Sequence, residues 1–118
     1  MILKCKDHRH IALITDSLAA AGMDQSTDAS YIIEDGVCKL PDRSAFAGSI
    51  ATMDQLVRNA MAAGCTLADA VSMASAVPAR ILGLPKGRLE AGMDADLVVF
   101  DDSIAVKAVI TQGVLRSL

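Results

Sequence analysis

The spacing of apolar positions changes several times along the chain, and each change marks an element. Ile11 to Ile14 is a continuous apolar run with β-branched members, which predicts a strand covered on both faces, as in a parallel sheet. It ends on Thr15-Asp16. The polar, turn-rich "MDQSTDAS" leads to "YIIEDGVCKL", where Asp35-Gly36 separates two short strand-like runs and predicts a β-hairpin. From Ser49 the apolar residues Ile50, Met53, Leu56, Val57, Ala60 and Met61 recur at three- and four-residue steps, predicting a helix that Gly64 terminates. Thr66 and Asp69 form a capping-box-like start to a second helix, whose buried stripe is Leu67, Ala70, Val71 and Ala74. Pro78 fits the first turn of a third, "PARILGL", where its missing N–H costs nothing. Met53, Met61 and Met73 read as core filler. After Pro85 come a strand, Leu97 to Phe100, and two more joined at Gln112-Gly113.

This order leaves both β elements short of neighbours. A lone parallel-type strand needs a sheet, and three terminal strands make only part of a sandwich. The length of 118 residues is that of one domain. Apolar residues make up 53% of the chain but aromatic ones only 3%, and the net charge is -3; an aromatic, basic surface for nucleic acid is therefore excluded. No apolar run nears the ~20 residues of a membrane span, and "MILKCKDHRH" turns charged too soon for a signal peptide. The chain reads as cytoplasmic, with no membrane partner. Cys5, Cys38 and Cys65 form no Cys-x-x-Cys pair, so they are read as reduced thiols with at least one buried.

The chemistry centres on Asp16. An ionised carboxylate at the end of an apolar run is costly to bury unless it is paired, hydrogen-bonded or beside a metal. In α/β barrels catalytic groups project from that end of the strands; a carboxylate that caps the following loop is the alternative. His8-Arg9-His10 has the spacing of a metal motif, but six residues of extended chain span roughly 20 Å, which separates these histidines from Asp16. Ligands of one zinc ion lie about 2 Å from it, so no metal site is assigned. "SAFAGS" places Phe46, Ala47 and Gly48 just before the first long helix, where free N–H groups can receive a polar ligand; Ser49 as a plain helix N-cap is the competing reading.

In order, "LITDSLAAAGM", "DGVCKL", "FAGSIATMDQLVRNAM", "AVSMASAVPARILGLPKGRLEAGMDADLVVFD" and "ITQGVL" resemble the C-terminal third of the N-acetylglucosamine-6-phosphate deacetylase family, within the amidohydrolase superfamily. The "PARILGL…GRLEAGMDADLVVFD" part is shared across the superfamily, whereas "TDSLAAAGM" with "AGS…TMDQLVRN" is specific to the deacetylases. The resemblance implies an α/β fold: a C-terminal fragment of a metal-dependent (β/α)8 barrel hydrolase, with the last barrel strand plus helices, and part of a small β-sandwich. Residues 1–84 would belong to the barrel, with an inserted hairpin, and 85–118 to the sandwich.

It also implies that Asp16 acts as general base toward a metal-activated water and then as general acid toward the departing amine. Phe46, Ala47 and Gly48 would contact the sugar-phosphate substrate. The divalent metal, zinc or iron, would take its ligands from residues this chain lacks, as would the 6-phosphate. The isolated chain is accordingly expected to be inactive, and its uncovered apolar surface to make it a homo-oligomer. A dihydroorotase- or deaminase-like amidohydrolase and a non-catalytic oligomerising module are the alternatives. The loop between Gly22 and Tyr31 is shorter than the family pattern.

Overall fold

The computed structural model describes residues 2–23 and 28–117. Residues 24–27, in the loop between Gly22 and Tyr31 that is expected to be shorter than the family pattern, lie outside them. The described chain divides into two compact units, one formed by the residues up to Leu13 and from Asp54 onward, the other by Ile14–Met53.

The first unit is helical with a terminal sheet. It opens with α1 (Ile2–Cys5) and a 3₁₀ turn, His8–His10, which Asp7 caps by accepting a hydrogen bond from the Arg9 amide at 2.9 Å. The predicted helices follow as α2 (Met53–Ala62), α3 (Leu67–Ala74) and α4 (Ala76–Leu82). The Cys65 amide closes α2 by donating to the Ala60 carbonyl at 3.1 Å, with Gly64 in the intervening turn as expected. Thr66 caps α3: its hydroxyl oxygen accepts from the Asp69 amide at 3.2 Å and the hydroxyl donates to the Asp69 carboxylate at 2.7 Å.

Between α3 and α4 the chain bends at Ser75, and Gly87 explains why the bend can be covered. A Cβ at 87 would stand 2.7 Å from the Ser75 carbonyl oxygen, closer than side-chain carbons pack. The core joins Ile11, Val57, Ala60, Ala70, Met73 and Ile104, with Leu13, Met61 and Phe100 against it. Met73 is completely buried, whereas Met53 is exposed and not the core filler expected of it.

The terminal strands are β4 (Leu97–Phe100), β5 (Val106–Thr111) and β6 (Val114–Arg116), an antiparallel sheet in that order. The last two are joined at Gln112-Gly113, both at positive φ, as a two-residue hairpin turn requires. Lys86 bridges Asp94, at 2.8 Å, and Asp96, fixing the loop that leads into β4.

In the second unit β1 (Ile32–Glu34) and β2 (Val37–Lys39) form the predicted hairpin, with Asp35 and Gly36 both at positive φ. A third strand, β3 (Phe46–Gly48), pairs with β2 across a bulge at Cys38/Lys39. Its small core is Ala20, Tyr31 and Cys38, with Leu18, Ile33, Ala47 and Ile50 against it.

Two sequence expectations fail here. Residues 11–14 form no ladder among the described residues; Ile11 is extended, and the Leu13 amide donates to the Met73 carbonyl at 2.9 Å instead of to a neighbouring strand. Phe46–Gly48 is a strand and not the approach to a helix start, because α2 begins only at Met53. Ser49 is therefore no N-cap: its hydroxyl oxygen accepts from the Ala51 amide at 2.8 Å, within an irregular connection.

Candidate active site

Asp16, Phe46, Ala47 and Gly48 all fall in the Ile14–Met53 unit, and backbone hydrogen bonds join the segment that begins at Asp16 to the one that follows Gly48. The Ser49 amide donates to the Asp16 carbonyl at 2.9 Å, and the Leu18 amide donates to the Ser49 carbonyl at 2.9 Å, a short parallel bridge between the two segments. Farther on, the Gly22 amide donates to the Ile50 carbonyl at 2.8 Å, and the Ser17 hydroxyl donates to the Ala51 carbonyl. Residues 16–22 are thus laced onto residues 49–51, more than twenty-five positions away in sequence.

Asp16 has φ 51, a left-handed backbone that a non-glycine residue adopts at a cost. Its side chain is exposed. Among the described residues no hydrogen bond or ion pair engages its carboxylate, so the loop-capping alternative is not what this side chain does. Gly48 lies against it. With φ +117, a Cβ there would stand 3.0 Å from the Asp16 carbonyl oxygen and 3.1 Å from Leu18 Cγ.

Ala47 packs on the Tyr31–Cys38 core, while Phe46 is 76% exposed. Phe46 sits opposite Lys39 in the β2–β3 register, so the two share a face of the sheet. The Lys39 ammonium is already engaged, with Glu34 at 2.9 Å and Asp35 at 3.2 Å, and Arg43 joins Glu34 at 3.2 Å. The Arg43 and Lys39 hydrogen bonds hold the Glu34 carboxyl down to about 2. Two cations meet two carboxylates here, which leaves the sheet with an aromatic contact but no spare cation for a phosphate.

Metal donors do not converge. Among the described residues no group of three or more His, Cys, Asp or Glu side chains could hold an ion. His8 Nε2 is already paired with the Asp69 carboxylate at 2.7 Å, and that carboxylate also takes the Thr66 hydroxyl. Both histidines belong to the other unit from Asp16. The side chains present do not fit the divalent metal that the resemblance implies.

Ser17 and Ala51, which lace the site, are not singled out by the sequence, and Ser49 is named there only as a helix N-cap. The signal available was only a hydroxyl beside the carboxylate; the left-handed turn at Asp16 has no sequence mark, since nothing but glycine announces positive φ reliably.

From Cys5 to Arg116, residues 5–116, the chain matches the Amidohydrolase family. It belongs to that family. The amidohydrolase chain is 39% identical over 112 residues to N-acetylglucosamine-6-phosphate deacetylase of Bos taurus, an alignment covering 89% of this chain and 27% of the relative. Its fold is similar to the N-acetylglucosamine-6-phosphate deacetylase of Thermotoga maritima, with TM-score 0.86 and 33% identity over 97% of this chain and 33% of that one. It is also similar to the D267A mutant of the Mycobacterium smegmatis deacetylase in complex with N-acetyl-D-glucosamine-6-phosphate: TM-score 0.79, 38% identity, 92% of this chain and 31% of that one. The amidohydrolase thus spans about a third or less of the length of these relatives. No helix among its described residues is long and apolar enough to cross a membrane.

Proposed function

We propose that this chain is the C-terminal portion of an N-acetylglucosamine-6-phosphate deacetylase, which hydrolyses the acetamide of N-acetylglucosamine 6-phosphate to glucosamine 6-phosphate and acetate. The observation that carries the reading is the lacing of the Asp16–Gly22 segment to Ser49–Ala51, because these two segments lie in the deacetylase-specific part of the sequence. The likeness to named deacetylases supports the substrate.

In this reading the Asp16 carboxylate, exposed and unengaged among the described residues, takes a proton from water as the water oxygen bonds to the acetamide carbon. It then returns that proton to the nitrogen as the C–N bond breaks, and acetate and the amine leave. The Phe46 ring and the Ala47–Gly48 backbone contact the sugar. A divalent ion would supply Lewis acidity in the whole enzyme, but its ligands and the phosphate-holding groups come from outside these residues, and no step is assigned to it here. Ile11–Ile14 would gain its ladder there as the last barrel strand, with 1–84 in the barrel and 85–118 in the sandwich. The same reading places the enzyme in the cytoplasm as a homo-oligomer.

The test is to substitute this chain for the matching third of the Thermotoga maritima deacetylase and measure acetate release from N-acetylglucosamine 6-phosphate. Turnover that Asp16→Asn lowers about 10²–10⁴-fold is expected. A folded but inactive hybrid, or full activity in Asp16→Asn, sinks the reading. The 118-residue chain alone, supplied with zinc or iron, is expected to release no acetate; turnover that tracks bound metal would mean that His8 or His10 contributes to a site after all.

A further inference from the structure

Gly48 occupies a position where the usual reading, a backbone that lets the sugar approach, competes with what the packing requires. Its missing side chain faces the Asp16 carbonyl, at 3.0 Å, and the Leu18 side chain, at 3.1 and 3.2 Å. The space that a Cβ would fill is therefore already taken by the segment that carries the carboxylate. Asp16 itself is held at φ 51. An aspartate leaves that region readily unless its neighbours over-determine it.

The residues that follow Asp16 do so. The Ser49 amide fixes the Asp16 carbonyl at 2.9 Å, the Leu18 amide fixes the Ser49 carbonyl at 2.9 Å, and between them the Ser17 hydroxyl reaches the Ala51 carbonyl. With its carbonyl and the next two residues held in this way, the left-handed backbone of Asp16 sets the direction in which its side chain leaves.

From this we infer that Gly48 and Ser17 are positioning residues for the Asp16 carboxylate: Gly48 by admitting the Asp16 carbonyl where a side chain would stand, Ser17 by tying the next residue to Ala51. The inference rests on Asp16 being the base. It reassigns Gly48 from contacting the substrate to aiming the group that acts on it. Misplacing a reacting group by about 1 Å costs about 100-fold in rate, so Gly48→Ala should lower kcat by about that factor and leave KM within about twofold. Ser17→Ala should lower kcat less, and Ser17→Thr, which keeps the hydroxyl, should restore it.

Two measurements decide. In the 118-residue chain, a left-handed residue brings its own Hα close to its amide proton, so Asp16 should show a strong intraresidue amide–Hα NOE. That signal should weaken in Gly48→Ala and Ser17→Ala while amide protection across Ile32–Lys39 stays unchanged. In the Thermotoga maritima hybrid the same variants are read as kcat against KM. An Asp16 without the NOE overturns the inference, as does a Gly48→Ala that raises KM alone, which would return Gly48 to the sugar contact. If Gly48→Ala fails to fold, the Ser17→Ala and Ser17→Thr pair carries the decision. A folded hybrid with no turnover while the NOE is present and variant-sensitive would refute the deacetylase reading and leave the positioning geometry standing.

Discussion

The two three-stranded sheets share an antiparallel order and a two-residue turn with both φ angles positive, yet they treat their apolar residues in opposite ways. In β1–β3 one face is closed over Tyr31, Cys38 and Ala47, and the charges of Glu34, Lys39 and Arg43 satisfy one another in hydrogen bonds. In β4–β6 the residues Val98, Val99, Val114 and Leu115 are exposed. Successive residues of a strand point to opposite faces, so Val98 and Val99 leave apolar surface on both faces of β4 beside Phe100, which packs on the core. The first sheet has one face closed by residues of its own unit, leaves Phe46 exposed, and carries the candidate residues Phe46, Ala47 and Gly48. The second carries none of the candidate residues and presents apolar surface that a larger assembly would cover.

The contrast breaks most visibly at the cores. Met73 is completely buried among Ile11, Val57 and Ile104, in the unit that carries β4–β6. Met73→Ala is expected to cost about 2–5 kcal/mol, through lost transfer energy and the cavity left behind. Denaturant titration with tryptophan-free detection, such as far-ultraviolet circular dichroism, would measure it. If the β1–β3 sheet is finished within its own unit, amide exchange over Ile32–Lys39 should stay slow in this variant; its collapse together with α3 would remove the distinction.

A smaller effect is expected from Cys38→Ser. The Cys38 side chain is also completely buried, at the centre of the β1–β3 core. A hydroxyl in its place keeps the shape but needs a partner that the apolar surroundings of Leu18, Ile33, Ala47 and Ile50 do not offer. The expected cost is about 1–3 kcal/mol, confined to this unit and read by exchange of the Cys38 and Gly48 amides.

The charged side of the same sheet gives a pH test. Hydrogen bonds first from Arg43 and then from Lys39 lower the Glu34 carboxyl from 4.5 to about 2. A group whose pKa is depressed by folding contributes its full stabilisation above the unfolded value and loses it as pH falls through the folded one. Protection of the β1–β2 hairpin should therefore decline between pH 4.5 and pH 2. Glu34→Gln should remove that part of the decline, and high salt should weaken it, because the Arg43–Glu34 pair is exposed. A decline unchanged by Glu34→Gln would assign acid sensitivity to other carboxylates.

What the sequence announced and what it hid follow from the range of the interactions involved. Asp35-Gly36 and Gln112-Gly113 announce their turns because the required positive φ values select those residue types locally. Thr66 with Asp69 marks the start of α3 because its hydroxyl caps the Asp69 amide, again a local requirement, and α2 to α4 follow the helical period. Ile11–Ile14 carries the composition of a doubly covered strand, but a strand also needs a ladder, and its nearest recorded backbone partner is the Met73 carbonyl. β3 was invisible because three residues, Phe46 to Gly48, show no alternation; they are strand by virtue of Cys38 and Lys39 lying alongside. Asp16 is picked out by its chemistry, and Gly48 by the "SAFAGS" reading together with the resemblance. Their contact, through the Asp16 carbonyl, was legible in neither segment alone.

The smallest expected effect tests the open sheet directly. Val99 is half exposed in the middle of β4 and pairs with Ala108. Threonine has nearly its shape and an equal liking for strands, so Val99→Thr should change the folding stability of this chain by less than about 0.5 kcal/mol. Self-association should respond more strongly: if Val98, Val99, Val114 and Leu115 hold copies together, sedimentation of Val99→Thr will shift toward the monomer at the same concentration. Unchanged stability with unchanged association would show that these valines are merely solvated, and the comparison between the sheets would lose its functional meaning. A stability loss as large as that of Cys38→Ser would mean instead that β4–β6 is already covered, and that its two faces are as finished as the one above Cys38.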